Sequence, residues 1–251
     1  MNRRWLLIFP VAVLLLAGCK KKEDGPVVSP FKASAKISFQ HVFGTSPLVL
    51  SNQWYVNAAN DSVRISMLKY YISNITLKSG GQSFVVPESY FLIDEAEPAS
   101  KTILLSGLPP VSFDEIEFLI GVDSAKNASG AHTGALDVIH NMYWGWASGY
   151  ICSKLEGYFI DSVESGFSFH VGGFNYPNNA SRKVSISFNG EKLPAAELNP
   201  PTLVLKTDVS EYFKNPVTLD LKQYNSVHSP SATGNMLADN YTDMFGFVAV
   251  Q

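Results

Sequence analysis

Cysteine is scarce in this sequence, and its scarcity excludes a fold that depends on disulfides. The 251 residues contain only two cysteines, Cys19 and Cys152. If Cys19 carries lipid, as argued below, Cys152 has no partner within the chain with which to form a disulfide. Cys152 shares strand parity with Tyr150, Lys154 and Glu156. We therefore expect it to act as a small buried hydrophobic residue rather than as a metal ligand or a reactive thiol.

Charge and enzyme motifs are also lacking. Charged residues make up 16% of the chain and the net charge is −3, so there is no basic field that would attract nucleic acid. The sequence contains no G-x-S-x-G, P-loop, H-E-x-x-H, C-x-x-C or Rossmann glycine pattern. Carboxylate pairs such as Asp94/Glu95 resemble surface charges at strand ends, whereas a glycosidase needs two carboxylates facing each other across a cleft. We expect a protein without catalytic turnover and without a nucleic-acid partner.

The N-terminus has the pattern of a bacterial lipoprotein signal peptide. Arg3 and Arg4 precede an apolar run, 5–16, that is too short for a comfortable membrane span. The following L-A-G-C, ending at Cys19, is similar to the lipobox, in which the cysteine is acylated and becomes the first residue of the mature protein. An ordinary signal peptide or a short anchor fits less well, because the cysteine follows the small residues directly. Several acyl chains would then hold the protein stably to a bilayer.

Residues 19–33 are predicted to be a charged tether between the lipid and a folded domain. The sequence K-K-K-E-D-G-P at 20–26 combines charge with residues that break regular structure. Charged residues directly after the lipid-bearing cysteine resemble the export signals of surface lipoproteins in Bacteroidetes-type bacteria. We expect residues 1–18 to be removed and the protein to be lipid-anchored in the cell envelope, in the outer membrane on its periplasmic or surface face.

The remaining residues, 34–251, are predicted to form one mainly-β domain. Short segments with alternating apolar residues, separated by Gly, Pro, Asn and Ser, are typical of an antiparallel β-sandwich, here of about ten short strands with long connecting loops. Helix is limited to single turns at 210–213, with Ser210 as N-cap, and at 235–240. The stretch 123–142 lacks alternation, and loops of this length are usually functional or carry short helices. The predicted strands are 34–42, 64–77 (with a break or bulge), 83–86, 90–94, 102–105, 115–122, 150–156, 166–171, 183–188, 202–209 and 217–221.

The most unusual stretch is 141–157, N-M-Y-W-G-W-A-S-G-Y-I-C-S-K-L-E-G. Trp144 and Trp146 lie two residues apart, directly after Met142. Aromatic rings are costly to leave in water, so such a cluster either packs in a core or lines a site. By local pattern alone, a core turn between strands is the simpler interpretation.

The five histidines are candidate metal ligands. His41 continues the parity of the apolar residues in its strand and should point inward at the strand end. His170 takes the parity opposite to the phenylalanines of its strand. Taken singly, each histidine is more typical of a hydrogen-bonded structural or surface residue, although a neutral imidazole at an exposed strand end is a natural ligand for copper or zinc. The other three lie in predicted loops: His132, His140 and His228.

An ordered series of short motifs runs along the predicted domain. The series comprises F-Q-H-V-F-G (39–44), L-K-Y-Y-I-S-N-I (68–75), Y-F-L-I-D (90–94), F-L-I-G-V-D-S (118–124), T-G-A-L-D (133–137), M-Y-W-G-W-A-S-G-Y-I (142–151), K-L-E-G (154–157) and F-S-F-H-V-G-G (167–173). It resembles one protein family, the MbnP-like copper-binding proteins, which are periplasmic or membrane-anchored proteins related to the partner protein of methanobactin operons. The resemblance spans roughly 34–250, and its most specific part is the W-x-W-x-x-G-Y-I run with K-x-E-G behind it.

The resemblance implies copper as the cofactor. In that family, and in similar copper proteins of methane-oxidising bacteria, a di-haem partner related to cytochrome c peroxidases oxidises a tryptophan to kynurenine, which binds copper together with histidines. Carried over to this chain, Trp144 or Trp146 would be modified, and His41 and His170 match the ligand positions best. Weaker candidates are His132, His140 and Met142. We expect His228 to contribute little by comparison.

Two other functions remain open at this point. A surface β-sandwich could bind a glycan or a protein through the Trp144/Trp146 aromatic pair. A hydrolase would need a carboxylate cleft that the sequence does not reveal. The metal content of the purified protein, set against a glycan or pull-down screen, separates a copper protein from a glycan- or protein-binding module.

The predicted lipidation site gives the first test. In a Cys19→Ala variant, no thiol remains for acylation, so labelling by a fatty-acid probe should disappear and the protein should be released or mislocalised. Labelling equal to that of the wild type would contradict the lipoprotein assignment.

Overall fold

The computed structural model describes residues 29–251, which form a mainly-β sandwich as predicted. The predicted signal peptide (1–18), Cys19 and the tether as far as residue 28 lie outside the described residues. Within the described part, the first strand begins at Ala33. No helix in 29–251 has the length and apolar character needed to cross a membrane.

The structure contains nineteen strands in 29–251, many of them only two residues long, and two short α-helices. The helices are α1 (Ser124–Ala128) and α2 (Ala232–Tyr241), and single 3-10 turns occur at Pro98–Lys101, Gly134–Leu136, Val138–His140, Val209–Phe213 and Thr242–Met244. The strands are β1 (Ala33–Phe43), β2 (Ser46–Pro47), β3 (Tyr55–Val56), β4 (Ser62–Ser79), β5 (Gln82–Val85), β6 (Tyr90–Asp94), β7 (Thr102–Leu108), β8 (Ser112–Phe113), β9 (Glu115–Ile120), β10 (Tyr143–Gly145), β11 (Gly149–Ile160), β12 (Glu164–Gly172), β13 (Phe174–Asn175), β14 (Asn178–Asn179), β15 (Arg182–Ser187), β16 (Leu193–Pro194), β17 (Thr202–Asp208), β18 (Ser226–Val227) and β19 (Phe245–Val250).

Two sheets form the layers of the sandwich. The larger sheet has the order β15-β9-β4-β11-β12-β18, and the smaller sheet has the order β19-β17-β1-β2, with β7 also paired to β1. The long strand β4 is central to the larger sheet, pairing with β11 along its first half and with β6 and β9 further on. Its predicted break lies at Asn74, which has a φ of 52°, within a register shift between Ser73 and Thr76.

The core lies between the two sheets and is filled by the inward-facing residues of the alternating strands. Phe39 of β1 meets Tyr70 of β4 with ring centroids 6.1 Å apart, and Phe245 of β19 lies 5.6 Å from Tyr70. A second, smaller apolar cluster lies on the opposite face of the larger sheet, around Tyr71 and Tyr150. Because Tyr70 and Tyr71 are consecutive in β4, they point to opposite faces, so this strand contributes to both clusters.

Three local features differ from the sequence prediction. β1 pairs with β17 in parallel, because the two strands are joined by a long stretch of chain rather than by a hairpin. The predicted strand 217–221 is irregular chain: its alternation reflects the burial of Leu219 and Leu221, while the backbone of Val217 bonds to the side chain of Asn240. The turn at 209–213 is capped by Asp208 rather than by Ser210.

Cys152 is 1% exposed and lies in the core, so it is buried as predicted. Strand parity alone would place it on the face of Lys154 and Glu156, but a register shift between Ile151 and Ser153 turns it inward. Burial raises the pKa of its thiol to about 11, so the thiolate that would react or bind metal is strongly disfavoured. A Cβ atom at Gly121 would approach the Cys152 Sγ to 2.6 Å, which shows how closely the residue after β9 packs against β11 there. The residue therefore contributes packing.

Candidate functional site

Polar side chains cross the outer face of the larger sheet in a continuous row. The strand registers place Asp94 beside Lys69, Lys69 beside Lys154, and Lys154 beside His170. These positions alternate with core residues such as Tyr70, Leu155 and Phe169, which are fully buried. The row is therefore the solvent side of strands whose other side holds the core.

His170 lies at the end of this row and contacts a second histidine. Its Nδ1 is 3.2 Å from Nδ1 of His228, and the two rings are 4.4 Å apart at an interplanar angle of 74°. His228 directly follows β18, which pairs with β12 through Ser226 and Val227. This two-residue parallel pairing carries the histidine alongside His170.

The contact between His228 and His170 was not expected from the sequence, from which we expected His228 to contribute little. The available signal was weak: Ser226-Val227-His228 alternates in polarity over only three residues, and Val227 is buried as such a strand requires. A strand this short has no detectable period, and its partner lies 58 residues away.

The other ring nitrogen of His170 is held by a carboxylate. Nε2 lies 2.7 Å from Oε1 of Glu156 and 3.2 Å from the hydroxyl of Ser168. Burial lowers the pKa of His170, Lys154 and His228 lower it further, and Glu156 acts in the opposite direction. A lowered pKa leaves the imidazole neutral at pH 7, with one nitrogen lone pair available.

Trp144 lies on the same face as His170. β10, which contains it, pairs with the start of β11. A Cβ atom at Gly172 would be 2.9 Å from Cζ3 of Trp144, so the indole covers this glycine. Gly172 is two residues beyond His170 in β12 and therefore shares its face. Lys154 ties the preceding loop to the sheet, since its Nζ donates to the carbonyl of Asn141 at 2.7 Å.

Trp146, two residues along the chain, is placed differently. Its side chain is 70% exposed, and its ring lies against Gly130 in the long loop rather than over the sheet. Gly145, between the two tryptophans, has a φ of 133°, a conformation that favours glycine and turns the chain there. The structure thus separates the two tryptophans: Trp144 is half-buried over Gly172, and Trp146 is presented to solvent.

His41 points inward, as predicted, but it does not meet His170. Its Nε2 is 2.7 Å from the hydroxyl of Tyr70, and its Nδ1 bonds to the carboxylate of Glu95. Burial raises the pKa of Tyr70, so the phenol stays protonated. Both ring nitrogens of His41 therefore have hydrogen-bond partners, and the ring lies between the two sheets. His170, by contrast, lies on the outer face of the larger sheet. The expectation that His41 and His170 lie at one site is wrong. The alternation of side chains along a strand shows which face of its own sheet a residue occupies, but not how the two sheets are placed relative to each other.

The weaker ligand candidates take part in local packing. His132 Nε2 contacts the carbonyl of Lys126 at 3.1 Å, and His140 Nε2 contacts the carbonyl of Gly134 at 3.0 Å. Met142 is fully buried in the small cluster of the outer face. In 29–251, no group of three or more His, Cys, Asp or Glu side chains is arranged to hold a metal ion. A metal bound by the His170–His228 pair would need a donor outside this set.

Comparison with known proteins gives one family and one related structure. Residues 32–229 match the family model MbnP. The fold is similar to that of MbnP from Methylosinus trichosporium, with a TM-score of 0.50 and 12% sequence identity, over 74% of this chain and 78% of that chain. A comparison with curated protein sequences gave no match. At this identity, the structural similarity establishes the fold alone.

The closed hydrogen-bond network of His41 predicts a structural role. A His41→Ala variant removes one of two partners from the buried hydroxyl of Tyr70, which keeps Thr207, and from the carboxylate of Glu95, which keeps Lys101. Together with the lost packing of the ring, this should lower the free energy of unfolding by about 1–3 kcal/mol. Denaturant titration followed by circular dichroism measures this change. His140→Ala, which removes a partly exposed imidazole with a single contact to a loop carbonyl, serves as the control and should have little effect. Equal stability of the two variants would show that the network does not stabilise the sandwich.

Proposed function

Because the chain belongs to the MbnP family, we propose that it is a copper-binding protein that holds its metal on the outer face of the larger sheet. His170 and His228 are the histidine ligands in this proposal. It keeps one ligand predicted from sequence, His170, and replaces His41 with His228. The observation that carries it is the 3.2 Å separation of the two Nδ1 atoms.

That separation fits a pair of nitrogens sharing one ion. Two ligand nitrogens bound at about 2.0–2.1 Å with a tetrahedral angle between them lie about 3.3 Å apart. The histidine pair is already at this distance, so little rearrangement is needed for both rings to reach one ion. Imidazole is a suitable donor for copper, and the neutral state of His170 favours binding.

Trp144 is the tryptophan that we place at the copper site. An unmodified indole offers only an N–H donor and no lone pair for a metal. Oxidation to kynurenine would open the ring to an aromatic amine beside a ketone, providing the further donor that the histidine pair lacks. Trp144 lies over Gly172 on the same face as His170, whereas Trp146 packs against a different loop. A di-haem partner of the cytochrome c peroxidase type would carry out the oxidation, and the half-exposed ring of Trp144 is open to electron transfer.

The proposed role is metal binding or uptake at the cell envelope, without catalytic turnover. The L-A-G-C motif supports a lipid anchor at Cys19, and the predicted tether would join it to a domain whose first strand begins at Ala33. Copper would then be held at the membrane surface.

A second candidate function rests on exposed aromatic residues. Trp146 is 70% exposed and Tyr176, in the turn between β13 and β14, is 97% exposed. A small cleft lined by Ala147, Ser148 and Tyr176 connects the two turns. Such a surface would suit a glycan or a protein partner, with Trp146 and Tyr176 in place of the Trp144/Trp146 pair suggested by the sequence. A glycan array probed with the wild type and with Trp146→Ala distinguishes this function from copper binding.

The copper site predicts that two histidine variants will behave alike. His170→Ala and His228→Ala each remove one of very few ligands, so each should weaken copper binding by at least about 100-fold, beyond the 10–100-fold typical of losing an outer-shell partner. Competition with a colorimetric Cu(I) chelator measures affinity and should give one equivalent for the wild type.

The matched control for the histidine pair is His140→Ala, an imidazole on the loop that leads to the tryptophans. It should bind copper as the wild type does. Undiminished binding by both His170→Ala and His228→Ala would refute this location for the metal.

The modification predicts a specific mass change. Oxidation of tryptophan to kynurenine adds two oxygen atoms and removes one carbon and one oxygen atom, which is a net gain of about four mass units. Protein from the native host should show this gain on the peptide that carries Trp144 and Trp146, and fragmentation should assign it to Trp144 rather than to Trp146. Recombinant protein made without the partner should lack it and bind copper more weakly. An unmodified native peptide would remove kynurenine from the proposal.

A further inference from the structure

The two ring nitrogens of His170 face partners of different character. Nε2 lies 2.7 Å from the Glu156 carboxylate, and Nδ1 lies 3.2 Å from Nδ1 of His228. A neutral imidazole has one N–H and one lone pair, and an ionised carboxylate only accepts hydrogen bonds. The contact with Glu156 therefore requires the proton of His170 to reside on Nε2. The lone pair of His170 is then on Nδ1, facing His228.

The strand register explains why Glu156 is free to make this contact. Lys154, not Glu156, is directly opposite His170, and Glu156 is opposite Ser168. Glu156 thus reaches His170 diagonally on the same face of the sheet. Lys154 would compete for the carboxylate, but its ammonium group instead donates to the carbonyl of Asn141 at 2.7 Å.

His228 also has a defined tautomer before metal binds. The two Nδ1 atoms are at hydrogen-bond distance, and such a contact needs one proton between them. Since His170 Nδ1 has none, His228 Nδ1–H must donate to it. For both Nδ1 atoms to bind one metal ion, this proton would have to move to Nε2 of the exposed His228 ring. The ring would then exchange one N–H for the other, and no net proton would be released.

We propose that Glu156 is a positioning residue that fixes the tautomer of His170 and so presents its Nδ1 lone pair to the metal. This inference rests on the proposed copper site. Carboxylates that orient metal-bound histidines in this way raise affinity by about 10–100-fold. A single partly exposed hydrogen bond, by contrast, adds little to folding stability, so loss of the carboxylate should affect the site far more than the fold.

The test begins with metal-free protein. Long-range proton–nitrogen NMR on protein with ¹⁵N-labelled histidine distinguishes the two tautomers. The wild type should show His170 protonated at Nε2 and His228 protonated at Nδ1. In Glu156→Gln the amide can either donate or accept, so His170 should shift to a mixture of tautomers. Circular dichroism should show that the variant is folded.

Copper titration of the same proteins gives the second readout. Glu156→Gln should bind copper about 10–100-fold more weakly than the wild type. The matched control is Glu164→Gln, which changes a carboxylate on β12, the strand of His170. This carboxylate accepts a hydrogen bond from Arg64 at 2.8 Å and does not contact the histidines. The control variant should leave both the tautomers and the affinity unchanged.

The outcomes separate this inference from the proposed function. If His170 in the metal-free wild type carries its proton on Nδ1, or if Glu156→Gln leaves tautomer and affinity as in the wild type, the positioning role of Glu156 is overturned. If the wild type binds no copper but its tautomers are as stated and shift in Glu156→Gln, the copper function fails while the assignment of Glu156 stands.

Discussion

The antiparallel pairing of β11 and β12 is the constraint on which the site depends. Its register sets Lys154 against His170 and Glu156 against Ser168 on the outer face, while Leu155 and Phe169 enter the core. A slip by one residue would exchange the two faces and bury the charges. Burial of apolar side chains on one side of the sheet thus holds the polar side chains of the other side in position. The site needs no separate scaffold.

Sequence reasoning succeeded where alternation was long. It identified β1, β9, β12 and the break in β4, because each depends on the local period of side chains. The burial of Cys152 was expected from its apolar character, whereas the register shift that turns it into the core left no sign in the sequence. Sequence reasoning failed where distant segments pair. The parallel pairing of β1 with β17 joins Lys36 to Thr202, and that of β12 with β18 brings His228 to His170. Neither pairing leaves a local period, so the sequence predicted one histidine of the pair and missed the other.

His41 and His170 show how similar contacts produce different chemistry. Each imidazole contacts a glutamate through one nitrogen. The second nitrogen of His41 meets the phenol of Tyr70 in the interior, so both of its nitrogens are saturated. The second nitrogen of His170 meets another imidazole at the surface, where one proton can give way to a metal. The environment of the second nitrogen, more than the presence of the carboxylate, separates a structural histidine from a candidate ligand.

The brevity of β18 has a mechanical consequence. Only Ser226 and Val227 pair with the sheet, so few backbone bonds hold His228 at this edge. An ion shared by His170 and His228 would join two positions 58 residues apart and act as a reversible cross-link. Since it would bind the folded chain in preference to the unfolded one, it would strengthen the sandwich as its concentration rises. The stability of this sheet edge would thereby depend on the concentration of the metal.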